Sequence, residues 1–190
     1  MARSYTLKQR AEKQAETRLR IVEAAVELHS SIGPAGTNFS MVAERAGVQR
    51  RTLYAHFPDE WSLLLACSGL TLERDPLPSA DAWRSTPVGR ARLEVGLSEV
   101  YGWYERNADL AGCVLRDAEA HAPTRKITEL RMGPFVRAYH DVLGEGLSTT
   151  QRPMLAVGLS FFTWRTLVRD SGLDCAGAVA GIVRAIEAQV

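Results

Sequence analysis

Apolar residues recur along this chain at intervals of three and four, and no stretch alternates as a half-buried strand would. From Thr17 to about Ser31, the residues Ile21, Val22, Ala25, Leu28 and Ile32 form one stripe, with Arg18, Arg20, Glu23 and Glu27 opposite. Gly33-Pro34 ends this helix, because proline cannot continue it and glycine caps it cheaply. His29 lies beside the stripe and reads as a packed helix-end histidine. A short helix follows, with Phe39, Val42, Ala43 and Ala46 on one face and Asn38 as its N-cap. Gly47 stands where a helix end needs a positive φ. A second short helix then runs from about Arg50 to Phe57, with Leu53 and Phe57 inward. Arg50, Arg51, Thr52, Tyr54 and His56 are left on or near its outer face.

Pro58-Asp59 opens a helix carrying Trp61, Leu64, Leu65, Leu70 and Leu72 to about Glu73. The segment from Asp75 to Ser79 breaks it, and a mobile connection containing Trp83 is expected through Thr86. Beyond Pro87 the pattern predicts helices over Val88–Arg106, with Leu93, Leu97, Val100 and Tyr104 on one stripe, and over Ala108–Ala120. After a break at Pro123, another runs from Thr124 to Leu143, ended by Gly144 and Gly146. The next begins at Thr149 or Thr150, with Leu155, Leu159, Phe162 and Thr166 sharing a face to Ser171-Gly172. Asp174 caps a last helix to Val190, with Val179, Ile182, Val183, Ile186 and Val190 inward. The expectation is an all-α chain of about nine helices. It divides into a small N-terminal domain over 1–58, arm included, and a larger helical domain over 59–190.

Composition adds little to this picture: 46% hydrophobic and 24% charged residues are ordinary for a globular protein. Net charge is only +1, yet residues 1–20 carry Arg3, Lys8, Arg10, Lys13, Arg18 and Arg20 against Glu12 and Glu16. Such a basic arm is either a frayed, solvated terminus or a reach toward phosphates. Cys67, Cys113 and Cys175 are odd in number and lack a CxxC, which favours reduced thiols. With no apolar run near ~20 residues and a polar N-terminus, a cytoplasmic location and no membrane partner are expected.

Candidate catalytic chemistry is sparse. There is no HExxH, GxSxG or Walker A loop, and Gly144-x-Gly146 follows a helix and lacks the third glycine of a dinucleotide motif. Asp117 and His121 have an i, i+4 ligand spacing without further ligands nearby, so they read as a surface pair. No enzyme activity, metal or cofactor is implied. The helix start at Arg50-Arg51 is more informative. Two cations there oppose the helix dipole, so a purely structural helix gains nothing from them. A helix that enters a DNA major groove by its N-terminus does.

The residues A24-A25-x-x-L28, G33, T37-N38-F39-S40-M41-V42-A43-x-x-A46-G47-V48 and T52-L53-Y54-x-H56-F57 resemble the DNA-binding domain of the TetR family. The resemblance covers roughly residues 17 to 65, and beyond it only a general helical layout is shared. It implies a helix-turn-helix followed by a larger effector and dimerisation domain. It also implies a homodimer that binds a near-palindromic DNA operator and releases it when a small-molecule effector binds. Thr37, Ser40, Tyr54 and His56 are implied as backbone contacts. Arg50 and Arg51 are long enough to pair with guanine edges, and Thr52 can meet a thymine methyl or a phosphate. Asn38 and Gln49, which open the two helices, are counted with this DNA-facing set.

Three positions depart from the family pattern. Gln49 replaces a Ser or Thr cap, Arg51 a small residue, and Glu60 a phosphate-gripping lysine. The resemblance also favours an apolar or aromatic effector cavity, expected at ~300–1,000 Å³. Its candidate lining is Trp103, Tyr104, Phe135, Tyr139 and Phe161, with Arg116, Asp117, His121 and Arg137 as polar candidates. Rings packed wholly on one another would instead favour DNA binding without an effector. A helical-bundle enzyme is the third reading, and it lacks a catalytic constellation. In the final helix, Gly177 and Gly181 each cost ~1 kcal/mol of helix propensity, which a close helix contact would explain. The dimer contact is therefore expected to use Leu159, Phe162, Gly177, Gly181, Ile182 and Ala185 in a four-helix bundle.

Overall fold

The computed structural model describes the backbone of residues 2–189 and the side chains of residues 8–189. Val190, expected inward, and the side chain of Arg3 lie outside the described residues. Among those described there are eleven α-helices and no strand. They are α1 (Ala2–Ser31), α2 (Phe39–Arg45), α3 (Arg50–His56), α4 (Glu60–Arg74), α5 (Ala80–Trp83), α6 (Arg90–Arg106), α7 (Ala108–Ala118), α8 (Ala122–Leu143), α9 (Gln151–Leu159), α10 (Phe161–Trp164) and α11 (Cys175–Glu187). Arg165–Asp170 continues α10 in wider, π-helical turns. The all-α expectation holds, and the count is close to nine. The two additions are α5 and the division of one expected helix at Ser160.

The chain packs as two compact units, one running to Arg74 and including Gly112–Thr128, the other comprising Asp75–Ala111 and the residues from Glu129 on. In the first, Ile21, Ala25 and Leu28 of α1 meet Val42 and Ala43 of α2, Leu53 of α3 and Leu63 and Cys67 of α4. Because α4 packs on α1 in this way, it belongs to the N-terminal unit, whereas the sequence pattern began the larger domain at residue 59. The first helix also starts long before Thr17. Its added turns are rich in Lys, Gln, Arg, Ala and Glu, all good helix formers. Ile32 is 40% exposed, not part of the inner stripe, since the helix ends one residue before it.

Asp117 is the main surprise of this unit. Expected at the surface with His121, its side chain is only 7% exposed. Its Oδ2 accepts the Ala35 N–H at 2.9 Å, and the Arg116 guanidinium lies 2.7 Å from its Oδ1. Arg116 also donates to the Ile32 carbonyl at 3.1 Å. Gly33 has φ +89° beside this carboxylate, and a Cβ there would lie 2.2 Å from Oδ2. Glycine is required on both counts, conformation and space.

In the second unit α11 packs along α6 and α9. Gly158 permits the approach, since a Cβ on it would meet Ile182 Cγ2 at 2.5 Å. At Ser160 the backbone turns extended (ψ 131°) and ends α9. Two carbonyls freed at that end are claimed by hydroxyls of α6: Tyr101 donates to Gly158 O at 2.9 Å and Tyr104 to Leu159 O at 2.7 Å. The break shifts the helical phase beyond Ser160. Phe161 and Trp164 are buried, while Phe162 is half-buried and Thr166 exposed, contrary to the continuous face expected. Trp83 is not in a mobile connection. It closes α5 with 1% exposure, lies 5.0 Å from the Tyr139 ring and donates its indole N–H to Glu99 at 2.8 Å.

Stability measurements can test both units. Trp83→Ala removes one of the two fully buried tryptophans of the second unit and should cost ~3–5 kcal/mol. Urea unfolding would reveal this, and a loss below ~1 kcal/mol would contradict the packing described. In the first unit His29 is 5% exposed, and burial lowers its pKa from the ordinary 6.5 to about 4, an effect the charge of Asp117 only partly offsets. The folded ring therefore stays neutral while the unfolded one protonates. Its contribution is complete above pH 6.5 and is lost as the pH falls toward 4, with an upper limit of roughly 3 kcal/mol. The difference in stability between wild type and His29→Phe should shrink over that window, and a constant difference would refute the assignment.

Candidate nucleic-acid interface and effector site

The helix pair is set by local chemistry. Thr37 Oγ1 donates to Gly33 O at 2.8 Å, and Asn38 Oδ1 then accepts the N–H groups of Ser40 and Met41 at 3.0 and 3.1 Å. The carboxamide of Asn38 is thus committed to capping α2. Gly47 has φ +64°, as a tight helix end requires, and α3 begins two residues beyond Val48. Gln49 makes no side-chain cap bond, in keeping with its departure from the family pattern. Leu53 and Phe57 are fully buried and fix the rotation of α3.

That rotation leaves Arg50 and Arg51 exposed in the first turn, and neither is paired with a carboxylate among the described residues. Thr52 and His56 are half-buried. Tyr54 is 47% exposed, its ring 5.1 Å from that of Phe39, which leaves its hydroxyl free of partners among the described residues. Ser40 and Gln49 are exposed, and Thr37 is half-buried. Arg18, exposed on α1, lies 4.9 Å over the Phe57 ring. Arg45 is engaged with Glu27 at 3.1 Å. Glu60 pairs with His121 at 3.5 Å, a partnership the sequence did not suggest.

Beside these helices, inside the same unit, lies an open cleft of about 490 Å³. His29, Phe39, Tyr54, Glu60, Leu63 and His121 are among its lining residues. Its polar walls come from segments far apart in sequence, so no local motif announces it.

The aromatic set in the other unit is partly assembled. Trp103, Tyr104, Phe135 and Tyr139 line one cleft together with Leu77, Val100 and Met132. Phe161 stands outside that lining, edge-on to Tyr104 at 5.4 Å. The expected cavity of several hundred Å³ is corrected here: the free space is about 10 Å³, room for one water. Trp103 donates to Asp75 O at 3.1 Å and Tyr139 to Pro78 O at 2.8 Å. Those bonds draw the segment before α5 over the rings. Burial pushes the Tyr104 and Tyr139 hydroxyls well above their usual pKa, so both remain donors. Arg137 is exposed and Arg116 is bound to Asp117, so neither polar candidate enters this cleft.

Of the residues expected at a dimer contact, Leu159 and Ile182 are each only 7% exposed within their own chain. Phe162, Gly177, Gly181 and Ala185 are half-buried. No helix among the described residues is long and apolar enough to cross a membrane.

Comparison with known proteins bears on both units. Residues 21–67 match the family described as bacterial regulatory proteins, tetR family. The transcriptional repressor KstR of Rhodococcus jostii (strain RHA1) is 32% identical over 136 residues, which cover 67% of this chain and 62% of that protein. The chain therefore spans less than two thirds of that relative's length. The class A tetracycline repressor from transposon 1721 of Escherichia coli is 37% identical over 76 residues, 38% of this chain and 35% of that one. Among solved structures, the transcriptional regulator FadR of Bacillus subtilis, in complex with stearoyl-CoA, superposes with a TM-score of 0.64 at 17% identity, over 90% of this chain and 98% of that one. That last likeness concerns the fold alone. With the capped helix pair, its turn glycine and the two exposed arginines, the match over residues 21–67 means that this chain carries the DNA-binding domain of the tetR family of bacterial regulatory proteins.

Proposed function

We propose that this protein is a DNA-binding repressor that acts as a homodimer on a near-palindromic operator and leaves it when an apolar effector binds. The observation that carries the reading is the pair of exposed, unpaired arginines in the first turn of α3. Arginine at that place can form a bidentate pair with guanine O6 and N7. Ser40, Tyr54 and His56 supply polar groups suited to phosphates, with Thr52 between the two roles, while the Thr37 hydroxyl, already donating to Gly33 O, acts by fixing the turn. Asn38 contributes through the cap it makes, and uncapped Gln49 is free to reach outward.

Effector response would require the aromatic cleft to open, because its present space of about 10 Å³ has room for no more than a water. An effector shifts this equilibrium only by binding the open form more tightly than the closed one. Its recognition would be chiefly apolar, since the tyrosine hydroxyls are already bonded to backbone. The closed cleft also favours a second reading, DNA binding without an effector. Operator affinity unmoved by any member of an apolar compound library would select it.

A panel of single-base operator variants, measured at several salt concentrations, separates the roles within α3. Arg50→Ala and Arg51→Ala should each lose discrimination at one position of each half-site, by ~1–3 kcal/mol, with Arg50 the stronger reader. Tyr54→Phe should weaken every sequence alike and leave the salt slope unchanged, because a neutral group releases no counterion. Uniform losses for both arginine variants would refute base reading.

Dimerisation through α11 has its own test. A Cβ added at Gly181 would have nothing nearer than Arg184 Nη2 at 4.0 Å, so its own chain has space for a side chain. Gly181→Leu should leave the monomer folded and clash only with a partner, costing the assembly ~1–3 kcal/mol. Sedimentation of an intact dimer at wild-type affinity would move the interface elsewhere.

A further inference from the structure

We infer that the cleft beside the recognition helix is a small-molecule site of its own, and that it takes an organic cation, a protonated amine on an apolar body. The cleft belongs wholly to the N-terminal unit, distinct from the aromatic cleft, and the inference does not rest on DNA binding. Its space of about 490 Å³ falls within the ~300–1,000 Å³ of small-molecule sites, with apolar walls and a few polar groups.

The first of those groups is His29. Its ring is 5% exposed and lines the cleft, and no hydrogen bond to it is found among the described residues. Burial keeps the ring neutral, so it offers one donor and one acceptor. The ring nitrogens are not among the orphaned buried atoms of the described residues, so the polar edge of this otherwise buried ring reaches the cleft, where an occupant would meet it. Phe39 and Leu63 form an apolar wall, and the Phe39 and Tyr54 rings stand as an aromatic pair 5.1 Å apart. A cation over such faces is attracted by their quadrupoles.

Charge selects the amine. The helix starts at Asn38 and Asp59 border the cleft, and each is equivalent to at most about +0.5 charge. Their leading amides are already occupied by the Asn38 and Asp59 side chains. Against them stand two full carboxylates, Asp59 and Glu60. Asp59 accepts the Ser62 N–H through Oδ1 alone, at 2.7 Å, and its other oxygen has no partner among the described residues. Glu60 meets His121 Nε2 at 3.5 Å, too long for a strong bond, which leaves its lone pairs for an ammonium.

Calorimetric titration of the full-length protein with tryptamine and with indole-3-acetate tests this, since the two share a ring and differ in the sign of their charge. Tryptamine should bind once per chain, and indole-3-acetate at least about tenfold more weakly. Glu60→Gln should weaken tryptamine about tenfold, or ~1.4 kcal/mol, and His29→Phe, which fills the wall, should weaken it at least as much. Glu60 is 46% exposed, so its variant tests the site even if His29→Phe folds poorly. The inference fails if tryptamine gives no saturable binding, if the acid binds as well as the amine, or if Glu60→Gln binds tryptamine like wild type.

Discussion

A carboxylate withdrawn from water fixes the turn on which the N-terminal unit depends. Taking an ion out of water costs several kcal/mol unless charge and hydrogen bonds replace its hydration. Asp117 has both replacements, the Arg116 guanidinium on one oxygen and the Ala35 N–H on the other. The geometry then propagates. Gly33 turns with positive φ against the carboxylate, Pro34 O accepts the Thr37 N–H at 3.1 Å, and Asn38 arrives in position to cap α2. The direction of α2, and through Gly47 that of α3, is inherited from a buried carboxylate that touches neither helix.

The second unit meets a similar demand with neutral groups. Ending α9 at Ser160 strands carbonyls that must find donors, and two tyrosines of one helix face supply them. The same helix carries Trp103, which donates its N–H to Asp75 O. The aromatic cleft is therefore rich in rings yet poor in free polar groups. Opening it need not break the tyrosine bonds to α9, but it must move the segment held by Trp103 and Tyr139. That segment includes Pro78, whose carbonyl is the Tyr139 acceptor.

What the sequence disclosed was local. The cap at Asn38, the positive φ of Gly47, the missing cap at Gln49 and the inward Leu53 and Phe57 all depend on residues a few positions apart, and all appear as expected. Long-range partners were not legible. Asp117 looked like half of a surface pair because the backbone N–H that it accepts, that of Ala35, lies 82 residues away. Trp83 looked stray because Tyr139 and Glu99 come later in the chain. Phe162 was expected to share a face with Leu155 and Leu159 because the pattern gave no warning of the break at Ser160, whose freed carbonyls find their donors on another helix. The cleft lined by His29 and Glu60 escaped for the same reason: His121 closes it from far along the sequence.

The scattered make-up of the N-terminal unit has a consequence for synthesis. Its helices α1 to α4 are complete at Arg74, but the residues that hold Gly33 and Ala35 come with Gly112–Thr128. A ribosome adding ~5–20 residues per second needs roughly 3–10 s to cover that interval. During that time the nascent helix pair has its apolar core and its caps but not its carboxylate. The unit emerges in the order of its hydrophobic burial and is locked only afterwards, so the latest part to be made decides when the earliest part is finished.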